Sequence, residues 1–238
     1  LKKTGSKAYA QVAKLLEHDN EFIAARAIWL LPHLGKKGLE HCYTLLENDQ
    51  SNTRLVAYRA LRRAEINILP YAKILAEDAN TAIRRDVALS LRNYSAEETG
   101  SIFVDLVNNM PKKYDKNYVE AIGLGAPNKE KAIWNFLRKE LAQQSPLNWS
   151  KNFARITWRF CTPAAIADLR MRIASDKLSI KDRKFAAESM VFINHEKAAL
   201  ALIDLAKLEG PLKDEMTHWV FMRRLTSWSK LDIAEAIK

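Results

Sequence analysis

Hydrophobic residues recur along this chain with the three- and four-residue steps of amphipathic helices, and no stretch shows the sustained two-residue alternation of a strand. One pattern of three residues, spaced i, i+3 and i+7, places its members on one side of a helix. It occurs at Arg54, Ala57 and Leu61, at Arg84, Val87 and Leu91, and at Arg183, Ala186 and Met190. The sequence therefore predicts an all-α protein whose helices each bury one apolar side.

Short blocks of similar sequence indicate an internal repeat. Residues 15–19 read Leu-Leu-Glu-His-Asp, residues 45–49 read Leu-Leu-Glu-Asn-Asp and residues 74–78 read Ile-Leu-Ala-Glu-Asp, which gives a period of about 30 residues. Each block ends one amphipathic stretch, and a second stretch begins just after it. We expect an Asp or Asn at these boundaries to accept hydrogen bonds from the first N–H groups of the second helix.

Followed to its end, the pattern predicts about seven helix pairs and a short last helix that reaches residue 238. The approximate spans of the pairs are 7–31, 36–64, 68–93, 95–125, 128–161, 163–193 and 195–227. A pair with one apolar side must stack on its neighbours, which is the architecture of an αα superhelix. The period is shorter than the ~40–47 residues of HEAT repeats, and tetratricopeptide and ankyrin signatures are absent. We predict a compact HEAT-like superhelix, with an irregular helical bundle as the alternative.

Composition narrows the class of protein. Of the 238 residues, 48% are hydrophobic and only 7 are glycine, which excludes a disordered or a collagen-like chain. We expect a single helical-repeat domain over residues 1–238. Because the sequence starts at Leu1 without Met, it is expected to be either a mature chain or a piece of a larger protein, and we favour the piece. No apolar run approaches the ~20 residues of a membrane span, so no transmembrane segment is predicted.

Candidate chemical motifs are sparse. Glu215 and His218 form a single ExxH, whereas a di-iron bundle needs two such motifs and further glutamates. Residues 123–126, Gly-Leu-Gly-Ala, follow a helical stretch and are better explained as a helix stop than as a phosphate-binding loop. Cys42 and Cys161 belong to no CxxC motif and are expected to be buried free thiols. GxSxG, HExxH and CxxCH do not occur, so we predict no catalysis, no metal and no cofactor.

The most informative stretch is the helix predicted over residues 148–160. At about 100° per residue, Phe153, Ile156 and Phe160 share the side that faces the core. The opposite side carries Asn148, Lys151, Arg155 and Trp158, with Arg159 at its flank. Cations beside an indole suit a partner that offers carboxylates or phosphates together with a flat ring. The alternative is that Trp158 covers the neighbouring pair while the cations keep the surface solvated.

The net charge and the remaining aromatic residues say less about function. The net charge of +10 is spread evenly, which is compatible with a nucleic acid, an anionic glycan or an acidic partner, and equally with plain solubility. Trp29, Trp134 and Trp219 lie in apolar runs and are predicted to be core residues. The cations Arg59, Arg62 and Arg63 share a helix face and are predicted to be solvated or to form ion pairs between repeats.

Two stretches resemble a known family. Residues 114–126 (Tyr-Asp-Lys-Asn-Tyr-Val-Glu-Ala-Ile-Gly-Leu-Gly-Ala) and residues 82–92 are similar to the HEAT-repeat region of large bacterial membrane-bound or periplasmic dehydrogenase-like proteins. Such proteins join a β-propeller, a HEAT-like region and a cytochrome c domain, and the resemblance covers about residues 40–195. It implies that this chain is the middle module, a spacer or docking surface located in the cell envelope. No catalytic residue carries over, because the dehydrogenase and haem chemistry would belong to the other domains.

Together these observations lead to the expectation of a non-enzymatic αα superhelix that presents a concave surface to a partner protein or a neighbouring domain. The residues expected to make the contacts are Lys151, Arg155, Trp158 and Arg159, with Glu120 on the preceding pair. The alternative is a DNA-binding protein similar to the HEAT-like alkylpurine DNA glycosylases, which are also basic and use aromatic residues in a concave groove. No stretch of the sequence aligns with their catalytic motif.

Overall fold

The computed structural model describes residues 5–142 and 145–237, and in these residues it contains fourteen α-helices and no strand. The helices follow one another as seven sequential pairs, so the predicted all-α architecture of paired helices is confirmed. Close residue contacts divide the chain into two compact units, Leu1–Asn93 and Tyr94–Lys238, here termed the amino-terminal and carboxyl-terminal units. The expectation of one domain over residues 1–238 stays a prediction.

The amino-terminal unit contains three helix pairs. Its helices are α1 (Tyr9–Lys14), α2 (Glu21–Leu30), α3 (Gly35–Thr44), α4 (Ser51–Arg63), α5 (Leu69–Leu75) and α6 (Thr81–Ser90). Helix α4 packs against α2 on one side and α6 on the other, so the second helices of successive pairs are neighbours. The small and large residues of the repeated pattern fill these contacts, since Ala57, Leu61, Val87 and Leu91 are all inaccessible to solvent.

Asparagines rather than the aspartates of the repeated blocks cap the second helices of the first and third pairs. The Asn20 side chain accepts a hydrogen bond from Phe22 N–H (2.9 Å), and the Asn80 side chain accepts one from Ala82 N–H (2.8 Å). Helix α4 begins after Gln50, whose side chain makes no capping bond. The prediction of an Asp or Asn at these boundaries was therefore right for α2 and α6 and wrong for α4.

The arginine that opens the repeated pattern ties the second helix of a pair to the connection before it. Arg54 Nη1 donates to the carbonyl oxygens of Asn48 (2.7 Å) and Asp49 (3.0 Å), and Arg84 Nη1 donates in the same way to Ala79 (3.1 Å). Carbonyls in a connection between helices lack helical partners, so these guanidinium groups satisfy acceptors that would otherwise need water.

Arginine–aspartate pairs join successive helix pairs in this unit. Arg54 also holds Asp78 through two parallel bonds, Nε to Oδ2 at 2.8 Å and Nη2 to Oδ1 at 2.9 Å. Asp86 on α6 accepts from both Arg59 and Arg62 on α4. Arg59 and Arg62 therefore form the ion pairs between repeats that the sequence offered as one of two possibilities.

The carboxyl-terminal unit contains four helix pairs. Its helices are α7 (Ala96–Asn108), α8 (Lys116–Gly125), α9 (Glu130–Leu141), α10 (Lys151–Phe160), α11 (Ile166–Ala174), α12 (Ile180–Val191), α13 (Glu196–Ala206) and α14 (Lys213–Arg224). The second helices again lie side by side, because α10 packs between α8 and α12, and α12 packs against α14. Arg183, the corresponding arginine of this unit, donates from Nε to the carbonyl of Ile173 in the last turn of α11 (2.8 Å).

Tryptophans occupy both expected and unexpected core positions. Trp134 is buried, as predicted, and its Nε1 donates to Thr157 Oγ1 at 3.0 Å. Trp29 and Trp219 are only partly buried, because each lies on a helix side that its neighbours cover incompletely. The most completely buried tryptophan is Trp228, which follows α14 and donates from Nε1 to the carbonyl of Ile193 (3.3 Å).

The end of the chain differs from the prediction of a last short helix to residue 238. Turns follow α14, and the only regular element among the described residues beyond it is a 3-10 turn at Glu235–Ile237. Lys238 lies outside the described residues. Among the described helices, none combines the length and the apolar composition needed to cross a membrane.

Candidate binding groove

Helix α10 is shorter at its start than the predicted 148–160. The Ser150 hydroxyl accepts a hydrogen bond from Phe153 N–H (3.1 Å), so the helix begins at Lys151. Asn148 belongs to the preceding 3-10 turn, Pro146–Asn148, and is therefore not part of the basic side of the helix. That assignment from helical spacing was wrong because Trp149 and Ser150 break the helix that the spacing assumed.

The apolar side of α10 is as predicted. Phe153, Ile156 and Phe160 are all buried, and the ring of Phe153 lies edge-on to that of Trp149 with centroids 4.8 Å apart. The tight burial of this side fixes the rotation of the helix. The opposite side is thereby held away from the core of the unit.

That opposite side lines a groove of about 1070 Å³ between α10 and α12. Lys151, Arg155 and Trp158 all line it, together with Ala154 from the same helix. The far wall is formed by α12, and its central apolar residue is Phe185. We call this cavity the α10–α12 groove.

The far wall was not identified from the sequence. Lys181, Lys184, Phe185 and Glu188 line the groove from α12. Their i, i+3, i+4 and i+7 spacing is a readable signal for one helix side. Tyr114, which also lines the groove, precedes α8 in a connection, and nothing in its spacing predicts its position.

Arg155 is held by an aromatic ring rather than by a carboxylate. Its guanidinium lies 4.9 Å from the centroid of the Tyr114 ring. A cation over an aromatic face is stabilised by the ring quadrupole, by about 0.5–1 kcal/mol at exposed sites. The contact orients Arg155 and leaves its N–H groups able to meet an anion.

Trp158 is partly buried and packs against the end of α12. Its ring lies edge-on to that of Phe192, with centroids 6.2 Å apart. Its Nε1 is inaccessible to solvent and has no hydrogen-bond partner among the described residues. Trp158 therefore covers the neighbouring helix pair, as one of the two expectations had it, and it also forms part of the groove lining.

Arg159 and Glu120 contact each other instead of lining the groove. Arg159 Nε donates to Glu120 Oε2 at 2.7 Å, which links α10 to α8. The guanidinium lies directly over Gly123, where a Cβ atom would approach its Cζ to 2.3 Å. The structure thus brings together Lys151, Arg155 and Trp158 but places Arg159 and Glu120 in a mutual ion pair beside them.

A buried arginine, Arg172, lies behind the groove. Burial lowers the pKa of Arg172, and the negative charge of Asp182 partly opposes this effect. The Arg172 guanidinium lies 4.9 Å from the centroid of the Trp149 ring and donates to the carbonyl of Pro146. Asp182, at the start of α12, is thus close enough for its charge to act on Arg172, but the two side chains form no ion pair.

The other residues that the sequence singled out lie outside the groove or contact other parts of the protein. Residues 123–126 include the end of α8, so the predicted helix stop is confirmed. Glu215 pairs with Lys184 (2.8 Å), and His218 is exposed beside Trp219. Within residues 5–142 and 145–237, no three histidine, cysteine or acidic side chains form a cluster that could hold a metal ion.

The two cysteines differ in burial. Cys42 is fully buried, and burial raises the pKa of its thiol to about 12. Cys161 is only partly buried, which departs from the prediction, and it ends α10 in the left-handed conformation at φ +47°. Burial also raises the pKa of the Cys161 thiol, against the lowering effect of the Arg159 and Arg223 charges. Both thiols are therefore poor nucleophiles at neutral pH.

Comparison with known proteins assigns no family to this chain. No protein-family model matches the sequence, and no curated protein matches it significantly. The described structure supports an all-helical protein of paired helices, consistent with a helical repeat.

Proposed function

We propose that this protein is a non-catalytic helical-repeat scaffold whose α10–α12 groove binds a segment of a partner protein or of a neighbouring domain. The observation that carries the proposal is the convergence of Lys151, Arg155 and Trp158 with the α12 wall on a single cavity. Stacked helix pairs commonly use such grooves for recognition. The resemblance of residues 82–92 and 114–126 to dehydrogenase-like proteins supports a place as their middle module, in the cell envelope.

The size and lining of the groove favour binding over catalysis. At about 1070 Å³ the cavity is slightly larger than the ~300–1,000 Å³ of typical small-molecule sites. Among the described residues, its lining contains no histidine or cysteine. Its serine, Ser179, caps α12 by accepting from Asp182 N–H (3.2 Å) and donating to the Asp182 carboxylate (2.6 Å). These contacts suit a wall that holds its shape while a polypeptide segment docks.

A single-stranded nucleic acid is the alternative occupant, as in DNA-binding proteins of the alkylpurine glycosylase type. Trp158 and Tyr114 offer ring faces on which bases stack. In the same lining, however, the cations alternate with the carboxylates of Asp182 and Glu188, so the groove offers no continuous positive track for a run of phosphates. A polypeptide can place a few acidic and apolar side chains individually. The mixed charge of the groove therefore favours a polypeptide.

The test uses a random-sequence dodecapeptide display library selected on the full chain. We expect selected peptides whose affinity falls at least about tenfold in Trp158→Ala, while Trp158→Phe keeps much of the affinity because it preserves the ring that packs on Phe192. Circular dichroism must show that both variants remain folded. If Trp158→Ala unfolds the chain, Lys151→Glu with Lys181→Glu provides the same test at exposed positions. Selected peptides that bind equally well to all of these folded variants would refute the proposal.

A further inference from the structure

The charged residues of the α10–α12 groove are unevenly compensated. Lys184 is paired with Glu215 at 2.8 Å. The Asp182 carboxylate accepts a hydrogen bond from the Ser179 hydroxyl (2.6 Å) and forms no ion pair with a described cation. Of these two carboxylates, only Glu215 has a cationic partner supplied by the protein itself.

The other cations of the lining lack carboxylate partners. Lys151 and Lys181 are exposed, and neither they nor Arg155 lies within ion-pair distance of an acidic side chain in the described parts of the chain. Arg155 contacts only the neutral ring of Tyr114. Asp182 and Glu188 are the carboxylates of the lining that form no ion pair with a described residue. The uncompensated charge is thus three positive against two negative.

Two of these cations, Lys151 and Lys181, lie at one end of the groove. The starts of α10 and α12 both line the groove through these lysines, and the ends of the two helices meet where Trp158 packs on Phe192, so the helices run in the same direction. Lys151 is the first residue of α10 and Lys181 the second of α12, which places both at the opposite end from Trp158. The groove therefore has a basic end and an aromatic end, with Phe185 between them.

The distance between the two ends sets the spacing of a ligand. Trp158 lies seven positions after Lys151 on α10, and at 1.5 Å per position the two residues are about 10 Å apart along the helix. An extended chain covers that distance in about three residues. A helical ligand would need about two turns.

From this geometry we infer that the occupant of the α10–α12 groove is an acidic segment of a partner protein. Its carboxylates meet Lys151, Arg155 and Lys181, and an aromatic or large aliphatic side chain about three residues away in extended form packs on Trp158 and Phe185. This inference rests on the proposed function and adds the chemistry of the partner. Charge complementarity favours an acidic segment, because such a segment neutralises cations that the protein leaves unpaired.

The composition of the peptides selected on the full chain tests the inference. We expect enrichment of sequences with at least two acidic residues followed or preceded, about three positions away, by an aromatic or large aliphatic residue. The double variant Lys151→Ala with Arg155→Ala should bind these peptides about tenfold more weakly, with an effect that shrinks at high salt. The matched control is Lys131→Ala with Lys139→Ala, which removes two exposed positive charges from α9, outside the groove lining. The control should bind like the wild type.

Each other outcome has a distinct meaning. Peptides that need Trp158 but are neutral or basic would overturn the acidic partner and leave the binding function intact. Equal loss of affinity in the α9 control would show a general charge effect and would also overturn the inference. Groove-dependent binding of a single-stranded DNA oligonucleotide that exceeds that of every peptide would assign the site to nucleic acid instead. An absence of any groove-dependent peptide would refute the proposed function together with the inference.

Discussion

At the scale of single residues, Gly123 shows how a missing side chain makes a contact possible. It lies inside α8, where glycine costs about 0.8–1.0 kcal/mol relative to alanine. Its bare Cα provides the space in which the Arg159 guanidinium crosses to Glu120. The same ion pair draws Arg159 away from the α10–α12 groove.

We therefore predict that Gly123→Ala and Arg159→Ala are energetically coupled. In the Arg159→Ala background, Gly123→Ala should raise the free energy of unfolding by about 0.5–1 kcal/mol, because only the helix propensity changes. In the wild type the gain should be smaller by at least about 0.5 kcal/mol, because the new methyl group displaces the guanidinium from Glu120. Urea unfolding of the four proteins gives the coupling. Additivity within about 0.3 kcal/mol would contradict the steric role of Gly123.

At the scale of helices and their connections, Asp78 joins two successive helix pairs. Burial by itself would raise the pKa of the Asp78 carboxyl, but hydrogen bonds from Arg54 and from Asn80 N–H, with the nearby charge of Arg84, outweigh burial and lower it. The side chain of Asp78 is only 5% exposed, and that of Arg54 16%. The pair is therefore better shielded from solvent than most surface ion pairs.

We predict that Asp78→Asn lowers the free energy of unfolding by about 1–3 kcal/mol at pH 7. Because the folded-state pKa of Asp78 lies below its unfolded value of about 3.9, the stabilisation is complete above that value. It is then lost as the pH falls through the folded-state pKa, so the difference between wild type and variant should shrink in strong acid. Urea unfolding at pH 7 and in strong acid measures both effects.

Asp19 offers the matched control for this experiment. It occupies the corresponding position of the first repeated block, and it is exposed. Asp19→Asn should change stability by less than about 0.5 kcal/mol at either pH. A loss as large as that of Asp78→Asn would mean that the change of side chain, and not the pair with Arg54, causes the effect.

At the scale of the whole molecule, stability comes from the stacking of helix pairs within each compact unit. In the carboxyl-terminal unit, one aromatic cluster joins α9 to α10. Trp134 lies 6.4 Å from Trp149 and 6.1 Å from Phe153, measured between ring centroids, and it also donates to Thr157. In such an array, stability approximates a sum of pair stabilities and nearest-neighbour contacts.

A truncation series tests this view. A fragment of residues 94–238 retains the whole carboxyl-terminal unit and should keep helical far-ultraviolet circular dichroism and a cooperative thermal transition. A fragment of residues 145–238 lacks Trp134 and exposes the rings of Trp149 and Phe153, so it should melt at a clearly lower temperature and bind a hydrophobic dye. Equal melting temperatures would show that the aromatic cluster contributes little.

The sequence predicted the helix pairs well because their signals are local. Apolar spacing located all seven pairs, and the buried Phe153, Ile156 and Phe160 followed from the same periodicity. Contacts between distant residues were harder to predict, since their partners are set by packing. The pairing of Arg159 with Glu120, and the place of Tyr114 under Arg155, depend on the register between helices, which no single helix encodes.

The two contacts of Arg54 bear on how a repeat protein of this kind can gain further repeats in evolution. Arg54 binds the carbonyls of its own connection and also Asp78 of the following one, and Ser51 Oγ accepts from the Asn80 side chain at 2.9 Å. A tandem duplication of residues 51–80 would carry both members of the Arg54–Asp78 and Ser51–Asn80 contacts. At the new junction, the carbonyls of Asp78 and Ala79 would take the places of those of Asn48 and Asp49. Lengthening by internal gene duplication is thus compatible with this connection without any compensating substitution.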